Sequence, residues 1–335
     1  MSRFFVPKGY KSTLSVYETQ TAIGELRRNF EMNLCNALNI SRVSAPLFVG
    51  SDTGFNDDLN GIERPVEFDI LETKTNAQIV HSLAKWKRYA LYAYGFPVGK
   101  GLYTDMNAIR RDEEMDNIHS IYVDQWDWEK VISPDMRNEN YLKDTVQKII
   151  NALCDSLDFI KSRYSGITAD VSRNVKFITS QELEDMYPDL TPKERENAYV
   201  KENKTVFLMQ IGDVLKSGKK HDGRAPDYDD WSLNGDILIW NEVLGCAFEI
   251  SSMGIRVDKE TLELQLKKAG AEERKNLPFH KALLDGKLPL SIGGGIGQSR
   301  LCMLLLGKAH IGEVQVSVWD DETLRTGKEN GINIL

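Results

Sequence analysis

The chain has 335 residues, 41% of them hydrophobic and 27% charged, and a formal net charge of −8 at neutral pH. This length accommodates two average domains or one large α/β domain of a globular protein. The acidic balance argues against a general nucleic-acid binder, which normally presents a basic face, although a local basic patch stays open. With no apolar run of about 18 residues and no signal-peptide core in residues 1–8, neither a membrane partner nor secretion is expected.

The cysteines and histidines of the chain show no metal or disulfide pattern. Cys35, Cys154, Cys246 and Cys302 lie far apart and form no CxxC motif, which fits free thiols in a reducing cytoplasm. The five histidines show no zinc-ligand spacing. A bound metal is therefore expected to be magnesium with oxygen ligands.

The N-terminal part of the chain predicts a long helix followed by an extended segment. Apolar residues recur at helical spacing over residues 12–39, and Ser15 with Glu18 can close a capping box; a helix start one turn earlier is the alternative. Residues 40–49 are extended, and Pro46 suits the edge of a sheet. The helix and strand form either a dimerisation element or an ordinary α/β packing unit.

The later elements follow without a low-complexity linker or an internal repeat, so we predict a single domain over residues 1–335. Strands are expected at residues 66–71, 77–81, 118–126, 175–179, 205–211, 236–240 and 245–252. Helices are expected at residues 83–94, 139–163, 180–186, 192–202, 258–269, 278–285 and 297–306. Because strands outnumber crossover helices, the pattern favours an α+β fold with an antiparallel-rich mixed sheet flanked by helices over a Rossmann alternation.

Two basic segments carry candidate anion-binding side chains. Residues 81–88 read HSLAKWKR, where Lys87 lies one helical turn beyond Leu83 and can meet a substrate carboxylate; a solvated helix face is the commoner explanation of a short basic run. Arg110 follows an extended segment that starts at Gly101, and its planar guanidinium matches two phosphate oxygens. A salt-bridged hairpin loop is the alternative there.

Residues 118–129 read IHSIYVDQWDWE and predict a strand with an unusual polar face. An extended backbone places Gln125 and Asp127 on one face and Trp126 and Trp128 on the other. A simple core strand would be apolar where Gln125 and Asp127 lie. This face is a solvated surface or the floor of a polar site, and the pattern alone favours the surface.

Carboxylates are concentrated in two later segments. Residues 224–231 read RAPDYDDW, and the three carboxylates repel one another unless a cation, an amine or a hydrogen-bond donor binds there. Asp236 and Glu249 lie on successive predicted strands. If those strands pair, the two carboxylates can hold Mg²⁺ against nucleotide phosphates.

Residues 293–300 read GGGIGQSR and precede an apolar run. Glycines allow a ligand to approach the backbone closely, and we expect a strand, a glycine turn and a helix that opens at about Gly297. Arg300 then lies in the first helical turn, which favours an anion; a helix packed tightly on a sheet is the alternative. A Rossmann fingerprint is excluded because Gln298 replaces its third glycine, and no segment fits a P-loop.

Taken together, these segments resemble the catalytic core of class II aminoacyl-tRNA synthetases. Residues 12–49 look like the first, dimer-forming motif of that family, residues 101–110 with the following strand look like the second, and residues 293–300 look like the third. More narrowly, the ammonia-dependent asparagine synthetases are similar to this chain at residues 81–88, 123–129, 224–231, 248–256 and 292–300. The likeness runs from about residue 5 to 320, and the loop within residues 50–80 is slightly longer than the family pattern.

The resemblance implies a reaction and an ATP site. It implies ATP-dependent amidation of L-aspartate by ammonia through β-aspartyl-AMP, with release of AMP and pyrophosphate, in a homodimer. Arg110 is expected to steady the α-phosphate, and Arg300 to hold phosphate on the far side. Asp236 and Glu249 are expected to carry Mg²⁺, with Glu249 also at the ATP site.

The resemblance also implies an amino-acid and ammonia site. Lys87, Ser82, Ser252 and Gln125 are expected to orient the aspartate. Gly294 is expected to belong to the same substrate site. Asp57 and Asp127 are expected to line the ammonium side of the amino acid, with Asp57 preferred over Asp58. Asp229 is expected beside the ammonia path, where a carboxylate can bind ammonium and accept a proton.

Two other functions compete with this interpretation. One is an aminoacyl-adenylate enzyme that charges a tRNA or modifies a protein, which the acidic charge and the expected lack of room for an N-terminal anticodon-binding barrel disfavour. The other is a catalytically silent nucleotide-binding regulator, which the presence of both arginines and both metal-binding carboxylates disfavours. Free ammonia is the simpler nitrogen donor than glutamine, because position 2 is Ser2 rather than a nucleophilic cysteine.

Overall fold

The computed structural model describes residues 4–57 and 63–335. The described residues form nine α-helices, whose bounds are α1 Val16–Leu38, α2 Ala84–Ala93, α3 Glu139–Arg163, α4 Ser180–Met186, α5 Pro192–Asn203, α6 Lys259–Ala269, α7 Pro278–Leu284, α8 Gln298–Leu305 and α9 Asp321–Glu329. Within the described part of the chain, no helix is both long enough and apolar enough to cross a bilayer.

The same residues form eleven β-strands, whose bounds are β1 Ile40–Arg42, β2 Phe48–Gly50, β3 Glu67–Ile70, β4 Thr75–Ile79, β5 Gly101–Ile109, β6 Tyr122–Val131, β7 Lys176–Thr179, β8 Thr205–Met209, β9 Asp229–Asn241, β10 Cys246–Arg256 and β11 Ser291–Gly297. The main sheet has the order β1-β5-β6-β11-β10-β9-β8-β7, and a small sheet has the order β2-β4-β3. Only the two edge pairs of the main sheet, β1 with β5 and β7 with β8, are parallel among the described strands. The predicted α+β fold with an antiparallel-rich mixed sheet is confirmed.

Helix α1 begins where its capping box predicts. The Ser15 hydroxyl accepts from the Glu18 backbone N–H at 3.2 Å, and the Glu18 carboxylate accepts from the Ser15 N–H at 2.8 Å. The alternative start one turn earlier is therefore wrong, because two N–H groups of the first turn are already satisfied here. Buried residues such as Phe30 form the inner stripe of α1, and the Phe30 ring lies 4.8 Å from that of Trp126 in the main sheet.

Helices α1, α3 and α8 pack their apolar sides against one face of the main sheet and form the largest core cluster. Trp126 and Trp128 of β6 belong to that core, as do Ile237 and Ile239 of β9. Helices α2 and α5 also contact the strands. Leu91 of α2 packs with Val131 of β6, and Val200 of α5 belongs to an apolar cluster with residues of β8 and β9. Because successive side chains alternate across a strand, Gln125, Asp127 and Glu129 face away from the largest core.

Several element boundaries differ from the predicted ones. The extended segment 40–49 is divided between β1 of the main sheet and β2 of the small sheet. The strand expected at 118–126 starts at Tyr122, because the chain turns first and the Arg110 N–H donates to the Ile121 carbonyl at 2.8 Å. The glycines of residues 293–297 continue β11 rather than forming a turn, since they pair with β6 and β10 on either side.

Candidate active site

A cavity of about 440 Å³ lies over strands β6, β9, β10 and β11 and is the candidate active site. Its volume falls in the range of small-molecule sites, roughly 300–1,000 Å³. All predicted site residues except Asp236 line it, namely Asp57, Ser82, Lys87, Arg110, Gln125, Asp127, Asp229, Glu249, Ser252, Gly294 and Arg300. The structure thus brings together side chains that are up to 243 positions apart, from Asp57 to Arg300. The alternative Asp58 lies outside the described residues.

Strand β6 forms part of the cavity floor. Gln125 and Asp127 line the cavity, and Asp127 is buried. The solvated surface favoured by the pattern alone is therefore wrong, because helix α2 and the neighbouring strands enclose this face. One oxygen of Asp127, Oδ2, is buried and has no hydrogen-bond partner among the described residues. This oxygen is available to a bound ammonium group.

The glycines of β11 make room for side chains of the neighbouring strand. A Cβ at Gly295 would lie 2.1 Å from Gln125 Oε1, and a Cβ at Gly293 would lie 1.9 Å from Glu129 Oε2. Gly293 and Gly295 thus leave room for these side chains, and Gly295 also lines the cavity, so the close approach of a ligand to the glycine backbone stays a prediction. Gly294 does line the cavity, and its carbonyl accepts from Lys87 Nζ at 2.9 Å.

Lys87 is a buried ammonium group at the cavity wall. It pairs with Asp127, and burial lowers its pKa although the Asp127 charge opposes this effect. The expected solvated helix face is wrong for the whole basic run, because Lys85 and Arg88 are buried too. Lys85 lies 3.5 Å from Asp227 Oδ2, and Arg88 donates to the Val257 carbonyl at 2.7 Å. Lys87 is the member of this run that lines the cavity.

The three carboxylates of residues 227–230 bond to different basic side chains. Asp227 bonds to His280 at 3.0 Å and to Arg274 at 3.2 Å, and Asp230 bonds to Arg137 at 2.5 Å. Basic side chains of the protein therefore relieve the repulsion among these carboxylates. A bound external cation, which the sequence left open as one explanation, is not needed for Asp227 and Asp230. Only Asp229 of the three lines the cavity.

Asp229 belongs to a buried charge network that the sequence did not reveal. It pairs with Arg256, which also donates to Glu129 from Nε at 3.0 Å and from Nη2 at 2.7 Å. Burial raises the pKa of Asp229, against the lowering effect of Arg256. The signal for Glu129 was present, because the alternation that puts Gln125 and Asp127 on one face reaches Glu129 next. We refer to Glu129, Arg256 and Asp229 as the Arg256 network.

Two arginines lie at the other end of the cavity. Arg300, in the first turn of α8, donates to the Glu249 carbonyl at 3.2 Å and lies 3.7 Å from its carboxylate. Arg110 is 4.0 Å from Glu113, and its buried Nε has no hydrogen-bond partner within residues 4–57 and 63–335. The alternative of a salt-bridged hairpin therefore leaves the Nε of Arg110 unsatisfied, whereas a bound anion would satisfy it.

Strands β9 and β10 pair, and Asp236 and Glu249 are diagonal neighbours on them, with Ser252 opposite Asp236 and Leu238 opposite Glu249. Asp236 is outside the cavity lining and pairs with Arg224. Burial raises the pKa of Asp236 to about 6, and the Glu249 charge adds to this rise. Burial also opposes ionisation of Glu249, but the charges of Arg300, Arg224 and Lys193 outweigh it and lower the pKa of Glu249.

The two carboxylates fit a magnesium ion that is shared with a ligand. Asp236 Oδ1 is buried without a hydrogen-bond partner among the described residues, and Glu249 lines the cavity. The part of the chain that the structure describes has no group of three or more His, Cys, Asp or Glu side chains arranged for a metal. Two carboxylates plus oxygens from phosphate and water are a common shell for Mg²⁺.

Solved structures with this fold are class II aminoacyl-tRNA synthetases. They include the Entamoeba histolytica asparaginyl-tRNA synthetase in complex with asparaginyl-adenylate, with a TM-score of 0.63, 15% identity and coverage of 90% of this chain and 66% of that one. The Pyrococcus horikoshii asparaginyl-tRNA synthetase complexed with asparaginyl-adenylate gives a TM-score of 0.64 at 14% identity, over 89% of this chain and 68% of that one. The chain therefore has the fold of the class II aminoacyl-tRNA synthetases, as predicted.

Relatives of similar sequence narrow this class. The sequence model of the family described as aspartate-ammonia ligase matches residues 17–331. The aspartate–ammonia ligase of Clostridium tetani is 61% identical over 334 residues, 99% of this chain and 98% of that one. That of Clostridium perfringens is 60% identical over 336 residues and all of both chains. The chain belongs to the aspartate–ammonia ligase family, and the prediction of a ligase of this kind is confirmed.

Proposed function

We propose that this protein amidates L-aspartate with ammonia at the expense of ATP, through β-aspartyl-AMP, and releases AMP and pyrophosphate. The observation that carries the proposal is that one cavity has two chemically different ends. Lys87, Asp127 and the Arg256 network form an end suited to a zwitterionic amino acid, and Arg110 and Arg300 form an end suited to polyphosphate.

At the amino-acid end, the substrate finds charges of both signs in fixed positions. The Lys87 ammonium can meet a carboxylate, and the unpartnered oxygen of Asp127 can accept from the amino group. Ser82, Ser252 and Gln125 line the same cavity and add hydrogen-bonding groups, and Asp57 adds a further carboxylate to its lining. Holding the β-carboxylate next to the α-phosphate converts the reaction into an effectively intramolecular one.

In the first step, a β-carboxylate oxygen attacks the α-phosphorus of ATP, and the bond from that phosphorus to the pyrophosphate oxygen breaks. Negative charge grows on the α-phosphate oxygens as this occurs. The guanidinium of Arg110, whose Nε lacks a partner among the described residues, is available to stabilise that charge. Arg300 takes phosphate oxygens on the far side. Mg²⁺ held by Asp236 and Glu249 would supply charge neutralisation for the phosphates.

In the second step, ammonia attacks the acyl carbon, the bond to the AMP oxygen breaks, and AMP leaves. Ammonium cannot attack until it has lost a proton, so a carboxylate near its path serves both capture and deprotonation. Asp229 lines the cavity, and burial raises its pKa, which makes it a better proton acceptor than an exposed carboxylate. We assign this role to Asp229.

We further propose a homodimer in the cytoplasm, acting without nucleic acid. The first motif exposes large apolar side chains that a partner would cover, including Tyr17 and Met32 of α1 and Leu47 and Phe48 after it. All four cysteines are free thiols, which suits a reducing compartment.

Product analysis with ATP, Mg²⁺, aspartate and ammonium tests the proposed function. We expect equal amounts of asparagine, AMP and pyrophosphate, all dependent on ammonium. Formation of ADP, or of asparagine only from glutamine, would contradict the proposal. Aspartate-dependent pyrophosphate exchange without asparagine, together with tRNA retention in a filter-binding assay, would favour the tRNA-charging alternative. ATP binding without any product would favour the regulator.

A further inference from the structure

The cavity near Glu249 contains one more cationic side chain than the proposed mechanism uses. Arg300 lies 3.7 Å from the Glu249 carboxylate. Lys193 lies on α5, whose Asn197 side chain accepts a hydrogen bond at 2.7 Å from the N–H of Ala247, two residues before Glu249 on β10. Arg224 is committed to Asp236, and Arg300 already has an assigned role. Lys193 lines the same cavity and has none. The charge that the polyphosphate end can neutralise is therefore larger than the two assigned arginines provide.

The position of Lys193 is not explained by the stability of its own helix. Lys193 lies in the first turn of α5, directly after the Thr191 cap and Pro192. A cation at a helix N-terminus is opposed by the helix macrodipole, which favours anions there. The same dipole and the ammonium act together on an anion outside the helix. The i,i+3 ion pair of Lys193 with Glu196 offsets the unfavourable effect of the dipole on the helix, and the ammonium and the dipole together favour a bound anion.

Neighbouring side chains hold the Lys193 ammonium in place. Its Nζ donates to Glu196 Oε2 at 2.9 Å, and Glu196 Oε1 bonds to His221 Nε2 at 2.9 Å. Glu196 and His221 are buried, so this arrangement is rigid, whereas the Lys193 side chain is 73% exposed. The group is a fixed, accessible and protonated ammonium.

We propose that Lys193 binds the β- and γ-phosphates of ATP and holds the pyrophosphate that leaves. This inference rests on the proposed function, in which the bond between the α-phosphorus and the pyrophosphate oxygen breaks and pyrophosphate departs with the bonding electrons. An ammonium beside Asp236 and Glu249 neutralises part of that charge where the metal-binding carboxylates add negative charge of their own. Lys193 is thus a leaving-group ligand, distinct from the groups that contact aspartate.

Product inhibition of asparagine synthesis tests this assignment, with inorganic pyrophosphate and AMP as the two probes. Losing one charge-assisted contact should weaken inhibition by magnesium pyrophosphate about tenfold or more in Lys193→Met. Inhibition by AMP and the KM for aspartate should stay at their wild-type values. Lys193→Arg should retain most of the pyrophosphate inhibition. Lys201→Met, on an exposed residue of the same helix, should behave as the wild type does.

Two contrary results differ in what they overturn. If the wild-type protein forms AMP and pyrophosphate but Lys193→Met is inhibited by pyrophosphate as strongly as the wild type, the assignment of Lys193 is wrong and the proposed function stands. An equal weakening of AMP and pyrophosphate inhibition also overturns it, because a leaving-group ligand acts on pyrophosphate alone. If the wild-type protein forms ADP instead, both the proposed function and the assignment fail.

Discussion

Removing the charge of Glu129 should destabilise the protein strongly, although Glu129 lies beneath the cavity rather than in its lining. Its carboxylate is fully buried, accepts two charged hydrogen bonds from Arg256 at 3.0 and 2.7 Å, and accepts a third from Ser291 at 2.7 Å. Arg256 lowers the pKa of Glu129 against the effect of burial, so the pair is ionised. In Glu129→Gln, Arg256 keeps Asp229 as its one acidic partner among the described residues.

The size of this effect follows from the contacts. A hydrogen bond to a charged group contributes about 1.5–3 kcal/mol, and breaking a buried ion pair costs roughly 3–5 kcal/mol. The glutamine amide can still bond to Ser291, but its NH₂ group opposes the N–H groups of Arg256. We therefore expect the free energy of unfolding to fall by about 3 kcal/mol. Urea unfolding at one fixed protein concentration measures it, since association shifts apparent stability.

A matched surface pair provides the control. Glu25 accepts from Arg163 Nε at 2.6 Å and Nη2 at 2.9 Å, which is the same bidentate chemistry at an exposed position. Glu25→Gln should change the free energy of unfolding far less, because solvent screens an exposed pair. If Glu129→Gln unfolds at the wild-type urea concentration, or loses no more stability than Glu25→Gln, the reasoning from burial is refuted.

Four further substitutions concern catalysis. Arg110→Ala and Arg300→Ala should each lower the rate of asparagine formation by about 10²–10³ with the fold intact, because each removes a donor aimed at phosphate charge. Asp229→Asn should slow ammonia-dependent asparagine formation more than aspartate-dependent pyrophosphate–ATP exchange, which needs no ammonia. Gly295→Ala should impair both assays, since its Cβ would lie 2.1 Å from Gln125 Oε1 and displace that side chain.

Each of these expectations has a contrary outcome. Near-native activity in either arginine variant, confirmed by an unchanged unfolding midpoint, would remove its phosphate role. Equal losses in both assays for Asp229→Asn would rule out a base on the ammonia side. Gly24→Ala on α1, where a Cβ meets only the flexible Arg28 side chain at 3.5 Å, is the control for Gly295→Ala. If the two alanine variants are equally active, the close contact at Gln125 is unimportant.

Local signals predicted local structure well. The Ser15–Glu18 box located the start of α1, because a capping box needs only four consecutive residues. The alternation in β6 correctly separated Gln125 and Asp127 from the tryptophans. The alternation could not predict which face of β6 lies under a cavity. That depends on the pairing of β6 with β11, more than 150 positions away along the chain.

The site residues that sequence reasoning missed depend on long-range partners. Arg256 lies at the end of a strand whose Ser252 and Glu249 were assigned, yet its role is visible only once Glu129 and Asp229 come to meet it. The basic run at residues 85–88 looked like a solvated face because the acidic and carbonyl partners of these side chains come from distant segments. The resemblance to a known family, rather than the pattern itself, pointed to Lys87.

The central claim is that the β-carboxylate of aspartate is adenylylated before ammonia attacks. Isotope transfer tests it most directly. The protein is incubated with ATP, Mg²⁺, ammonium and aspartate labelled with oxygen-18 in its β-carboxylate. The products are then separated, and the oxygen-18 content of each is measured by mass spectrometry. The account predicts one labelled oxygen in the phosphate of AMP and none in pyrophosphate. Label in inorganic phosphate with ADP as the nucleotide product, or AMP without label, would contradict it.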